Sequence, residues 1–240
     1  MFWVTSGATE GVFAAVLGLT DPGDEVIVFE PVYDTYVPNL VMAGVTPRYV
    51  PLRGENWTFD PDELAKAFNS HTRAIIVNTP HNPTGKVYSR AELGVIADLC
   101  LKHDVIAITD EVYEHILYDD AVHTRLATLP GMEDRTVTIS SLGKTFSVTG
   151  WKIGWAVGSA ALVNSVNQAH QFITYAVASP LQRPPPLRSV YRLNFSTICG
   201  RLIKRGETRC SMRFKARVSK FFTRIQYEVL SHLFVRVEVN

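Results

Sequence analysis

Three cysteines in 240 residues, Cys100, Cys199 and Cys210, are too few and too irregularly spaced for a disulfide framework or a zinc knuckle, and they read as reduced thiols. No run of about 18 apolar residues occurs, so no membrane span is expected. Residues 1–7 hold no basic stretch leading into an apolar one, so no signal peptide is expected and the expected location is cytoplasmic. The seven histidines show no metal-ligand spacing, so no metal is expected. Internal repeats are absent. A GxGxxG fingerprint is absent too, which removes the simple dinucleotide reading. Gly143-Lys144-Thr145 looks like the end of a P-loop, but the required earlier glycine is replaced by Thr138, so that match fails.

What is present fits a globular chain: 46% hydrophobic and 20% charged residues. The net charge of +1 gives no reason to expect a nucleic-acid partner, yet charge is unevenly spread. Residues 183–240 carry 13 of the 24 Lys and Arg but only 3 of the 23 Asp and Glu. The first 182 residues alternate short apolar runs with helical patterns. Candidate strands are 25–29, 45–51, 73–78, 105–110, 135–140 and 153–158, none alternating with polar residues, so all are expected to be buried on both faces. Asp60-Pro61-Asp62-Glu63 and Ser89-Arg90-Ala91-Glu92 are helix starts with Glu at the capping-box position. The second of these helices should run to about Lys102 with Leu93, Ile96, Ala97 and Cys100 on one face, and Ser159 should cap a third through about Gln171. The alternation implies an α/β fold with a mostly parallel sheet covered by helices, and ligand contacts just beyond the strands' carboxyl ends.

The residues at those ends are informative. Ser141-Leu142-Gly143-Lys144-Thr145 is followed by a second lysine, Lys152, while Asn82-Pro83-Thr84-Gly85 and Asp110-Glu111-Val112-Tyr113 follow two earlier strands. As bare features these have ordinary readings: a turn for Asn82, a cap for Asp110, a surface lysine for Lys144. Their order and spacing together resemble the class I/II aminotransferases of fold type I, within which the chain looks most like the branch of kynurenine aminotransferase, cysteine-conjugate β-lyase and succinyldiaminopimelate aminotransferase. The resemblance spans residues 4–182. It implies a three-layer α-β-α large domain, pyridoxal phosphate (PLP) as cofactor, amino-acid and 2-oxo-acid substrates, and a homodimer.

Carried over by this resemblance, Lys144 is the lysine that joins the cofactor and moves the substrate Cα proton. Asp110 pairs with the pyridine nitrogen, so that the ring can take up negative charge. Tyr113 and Asn82 bond the 3-oxygen, and Asn82 also touches the substrate carboxylate. Gly7, Ala8 and Thr9, opening an apolar helical run at 12–19, offer backbone N–H groups to the phosphate, joined by Ser141 and Lys152. Tyr33 stacks on the ring. As bare features, Ser6-Gly7-Ala8-Thr9 is more often a helix cap and Tyr33 more often a core aromatic. His81, beside the Asn82 turn, either lines the site or sits on a solvated loop.

The chain also departs from the family. It begins almost at the phosphate loop, without the family's N-terminal arm. After Gln182 it turns basic and aperiodic where the small C-terminal domain, with its carboxylate-binding arginine, is expected. The expected division is therefore a large domain at 1–182 and an aberrant basic segment at 183–240, reading as a frameshift product or, alternatively, a divergent tail. Transamination is the leading expectation. C–S β-lyase activity on cysteine conjugates and a non-catalytic remnant are the alternatives.

Overall fold

Six apolar runs and one short edge segment pair into a seven-stranded sheet in the computed structural model, which describes residues 1–182. The chain divides into two units, Met1–Val177 and Ala178–Asn240. In the first unit the strands are β1 (Phe2–Thr5), β2 (Glu25–Glu30), β3 (Thr46–Pro51), β4 (Thr72–Asn78), β5 (Ile106–Asp110), β6 (Thr136–Ser141) and β7 (Gly154–Val157). Its helices are α1 (Gly7–Leu19), α2 (Tyr36–Met42), α3 (Pro61–Ala67), α4 (Arg90–His103), α5 (Leu142–Thr145) and α6 (Ala160–Ile173). The described part of the second unit holds one helical turn, α7 (Ser179–Gln182). The basic segment 183–240 lies outside the described residues.

The strand order is β1-β7-β6-β5-β4-β2-β3. From β3 through β6 the pairs are parallel, while β7 runs antiparallel to β6 and β1 antiparallel to β7. Because strand side chains alternate between faces, neighbouring residues serve opposite cores. Val26, Val28, Ile76 and Ile108 pack under α1, α2 and α6, whereas Ile27, Phe29, Ile75 and Ala107 pack under α3 and α4. That is the three-layer α-β-α arrangement. Each fully buried Ile or Leu contributes about 1.5–3 kcal/mol, so two-sided burial of the central strands holds the sheet together.

Several local expectations meet a different outcome. β3 is not buried on both faces: Thr46, Arg48 and Tyr49 are exposed. It is an edge strand pairing with β2 only, which is why it tolerates Pro47 and Pro51. Asp60 caps α3 by accepting from the Asp62 and Glu63 N–H groups, but Glu63 does not complete the box, because its carboxylate is drawn to Arg53. Ser159 stands at the N-cap position of α6 without a capping bond, its hydroxyl donating instead to the Asp134 carbonyl at 3.4 Å. Ser89 and Glu92 form the full reciprocal box, and α4 buries Leu93, Ile96, Ala97 and Cys100 along one face.

Candidate active site

The carboxyl ends of three neighbouring parallel strands fall level with one another. Asn78 of β4 is opposite Asp110 of β5, which is opposite Ile139 of β6, two residues before Ser141. The antiparallel pair adds a second group. Ser141 faces Gly154, and Gly154 faces Thr5, so the start of β7 and the end of β1 meet the end of β6. Segments 6–9, 141–144 and 152–154 are thereby brought to one place, although far apart in sequence.

One cavity lies there. Its wall includes each of the ten residues that the sequence singles out: Gly7, Ala8, Thr9, Tyr33, Asn82, Asp110, Tyr113, Ser141, Lys144 and Lys152. Tyr36, Asn78 and Thr149 line it as well and are not marked by the sequence.

At one end stands Asp110, 6% exposed. The Tyr36 hydroxyl donates to its Oδ2 at 2.7 Å and the Val112 N–H to its Oδ1 at 3.3 Å. Burial pushes its carboxyl up to about 6 and the Glu111 charge adds to this, against the opposing effect of Tyr36, Val112 and Lys144. Burial and the facing Asp110 likewise hold the Tyr36 phenol well above its ordinary range. The Tyr33 and Tyr36 rings meet edge to face, with centroids 5.4 Å apart.

Asn78 ties the next wall to the Asp110 backbone. Its amide donates to the Asp110 carbonyl at 2.9 Å, and its own oxygen accepts the Asn82 N–H at 2.6 Å. The Asn82 turn is wider than the four-residue turn its composition suggests. The Gly85 N–H reaches the His81 carbonyl at 2.7 Å, and the Asn82-Pro83 bond is cis. His81 is not in the wall of this cavity, nor is it solvated. It is buried inside this turn, its Nδ1 2.8 Å from the Thr84 hydroxyl, and burial followed by the Lys86 charge pushes it down to about 4.

The opposite end is cationic. The first-turn N–H groups of α1 have no partner inside the helix. The Ser6 N–H before them is taken by the Glu10 carboxylate at 2.8 Å. Gly7 has φ +78, and a Cβ there would stand 3.6 Å from Lys152 Cδ. A Cβ on Gly154 would come within 2.5 Å of the Gly7 carbonyl carbon and 2.7 Å of the Ala8 nitrogen. Only glycine lets β7 approach this turn so closely. Lys144, in the single turn of α5, holds its Nζ 5.6 Å from the Tyr113 ring centroid. The loop between the two lysines is pinned by Val148 N–H to Gly143 O at 3.0 Å and Leu142 N–H to Ile153 O at 3.0 Å.

Comparison with known proteins points to one family. The family described as aminotransferase class I and II matches residues 2–184. Kynurenine–oxoglutarate transaminase 3 of Mus musculus is 53% identical over 189 residues, covering 75% of this chain and 42% of that protein. A probable N-succinyldiaminopimelate aminotransferase of Mycobacterium tuberculosis is 50% identical over 181 residues, covering 75% of this chain and 46% of its own. Among solved structures, Bna3p of Saccharomyces cerevisiae, a putative kynurenine aminotransferase, superposes with a TM-score of 0.79 at 41% identity, over 83% of this chain and 50% of that one. The chain thus spans a little under half the length of these curated relatives.

Proposed function

This chain belongs to the class I and II aminotransferases, and on that premise we propose that it carries the PLP-binding face of an enzyme that moves an amino group from an L-amino acid to a 2-oxo acid. The observation that carries the reading is the polarity of the cavity: a buried carboxylate at one end, and Lys152 beside a helix N-terminus at the other. Residues 1–182 are the cofactor-binding large domain in this reading.

The donor set fits PLP. Among the described residues Asp110 forms no ion pair, and its raised pKa is what a buried carboxyl without a cationic partner shows. A protonated pyridine nitrogen would supply that partner. The α1 amides, Ser141 and Lys152 would take the phosphate dianion. Tyr113 and Asn82 would bond the 3-oxygen, and Tyr33 would cover the ring. When bound, PLP supplies the electron sink for breaking the substrate Cα–H bond. The chain's own part is positional and acid–base. Asp110 would hold a ring-nitrogen proton in place, and the Lys144 amine would take the substrate Cα proton as general base and give it up again as general acid. Asn82, fixed through Asn78, would orient the substrate carboxylate.

A second reading keeps cofactor binding and drops turnover. A cytoplasmic location and a homodimer belong to the same proposal. Light scattering would measure the second. The test of function is spectroscopic. With PLP added, a visible absorbance band should appear, and an amino acid should bleach it as its 2-oxo acid forms. A band that appears and never bleaches supports the second reading, and no band at all contradicts both.

A further inference from the structure

The end of β5 and the turn after it carry Asp110 and Tyr113 to the cavity, and between and beside them stand two acids that do not line it, Glu111 and Glu114. Glu111 is 0% exposed. Its Oε1 accepts the Thr109 hydroxyl at 3.0 Å, and its Oε2 accepts from His123 Nε2 at 2.8 Å, with Arg125 Nε 3.6 Å away. Glu114 pairs with the Arg125 guanidinium and accepts the Ser140 hydroxyl at 3.2 Å. The chain leaves the turn, loops outward and returns at 123–125 to hold both acids.

Glu111, Glu114 and His123 stand close enough together to suggest a cation site. Arg125 already supplies the positive charge there and occupies carboxylate oxygens that an ion would need, so the cluster reads as an internal clasp. The histidine ring says the same. Its Nδ1 is buried with no partner among the described residues, a cost that a core position normally avoids. The ring is therefore held for its other nitrogen, the one that donates to Glu111.

We infer that His123 and Arg125 are positioning residues, which set the Asp110 carboxylate and the Tyr113 phenol at the cavity by clasping Glu111 and Glu114. The inference rests on the reading of Asp110 and Tyr113 as cofactor contacts. The physical link is short. Glu111 follows Asp110 directly, and the Val112 N–H bonded to the Asp110 carboxylate belongs to the same turn. Without His123, the buried Glu111 carboxylate would keep only the Thr109 hydroxyl as a hydrogen-bond donor and would have to move toward Arg125 or water to satisfy its other oxygen. That shift is passed along planar peptide bonds to its neighbours.

The test uses the 240-residue chain with PLP. His123→Leu removes the donor at similar bulk, while His123→Gln puts an amide donor near the place of Nε2. Arg125→Gln alters a half-exposed side chain and serves if His123→Leu does not fold. The readouts are the PLP dissociation constant, the position of the bound cofactor's absorbance band, and the melting temperature of the cofactor-free protein. His123→Leu should weaken PLP about tenfold, the size of one lost charge-assisted hydrogen bond, and move the band toward that of Asp110→Asn. His123→Gln should restore both. Arg125→Gln should weaken PLP about threefold, in line with a more exposed pair. An unchanged dissociation constant and band in His123→Leu and Arg125→Gln, with only the melting temperature lowered, would overturn the inference while leaving the functional reading intact. Failure of the unaltered chain to bind PLP would sink both.

Discussion

At one end of the cavity a carboxylate, Asp110, closes a central parallel strand. At the other, Lys152 and the first turn of α1 gather around an antiparallel pair at the sheet's margin. The first end is buried on every side and cross-braced by Tyr36, Asn78 and the Val112 N–H. The second depends on backbone proximity, with Gly154 almost touching Gly7 and Ala8. The anionic end thus relies on side-chain bonding and low dielectric, and the cationic end on a helix terminus and a glycine contact. A ligand with a cationic ring nitrogen and an anionic tail satisfies both at once.

The most severe way to break this contrast is at the buried end. Asp110→Asn should leave PLP binding within about tenfold of the unaltered chain. It should slow the half-reaction with an amino acid by about 10²–10³-fold, because a neutral amide no longer holds charge on the ring. Near-normal half-reaction rates would give Asp110 another role. At the other end, Lys152→Met should weaken PLP by about 10–100-fold and pyridoxal, which lacks the phosphate, hardly at all. Equal weakening of both ligands in a titration would detach Lys152 from the phosphate.

The buried end also makes a pH prediction whose sign follows from its raised pKa. The folded state binds the Asp110 proton up to about pH 6, whereas an unfolded carboxyl releases it from near 3.8. Between those values the folded state holds more protons. Cofactor-free stability should therefore fall as pH rises through the window, by on the order of 2–3 kcal/mol. His81, pushed down to about 4, acts in the opposite sense, since the stability lost on its protonation returns as pH rises toward 6.5. Melting curves of wild type and Asp110→Asn, compared at pH 4 and pH 7, isolate the Asp110 part. The variant should lack the fall, and PLP should reverse it in the wild type.

Smaller effects sharpen the comparison. Gly154→Ala should destabilise the fold by about 1–3 kcal/mol by overpacking and should weaken PLP, since the displaced backbone belongs to the phosphate turn. Tyr36→Phe should cost about 1 kcal/mol and raise the Asp110 pKa further, measurable by titrating the cofactor-free protein. A lowered pKa would show that the hydroxyl does not donate to that carboxylate.

The two ends also differed in how far they could be read in advance. The central strands were legible because continuous apolar runs at 73–78 and 105–110 can only be buried on both faces. Their ends then pointed to Asn82 and Asp110. α4 was legible because its capping box is local and complete. Phe2–Thr5 was not, since a four-residue strand exists only through pairing with β7. Tyr36 and Asn78 carry no signal of their own, because their partner, Asp110, is distant in sequence and composition holds no trace of such a bond. Glu63 and Ser159 carry sound capping signals that lost to Arg53 and the Asp134 carbonyl. His123 and Arg125 show no motif spacing, and only the folded loop brings them to Glu111 and Glu114.

The central claim is that this dipolar cavity seats PLP with Lys144 at its reactive carbon. Borohydride reduction of the chain after PLP addition, followed by peptide mapping, tests it most directly. The account predicts a single label, on Lys144. A label on Lys152, or no label at all, would contradict it.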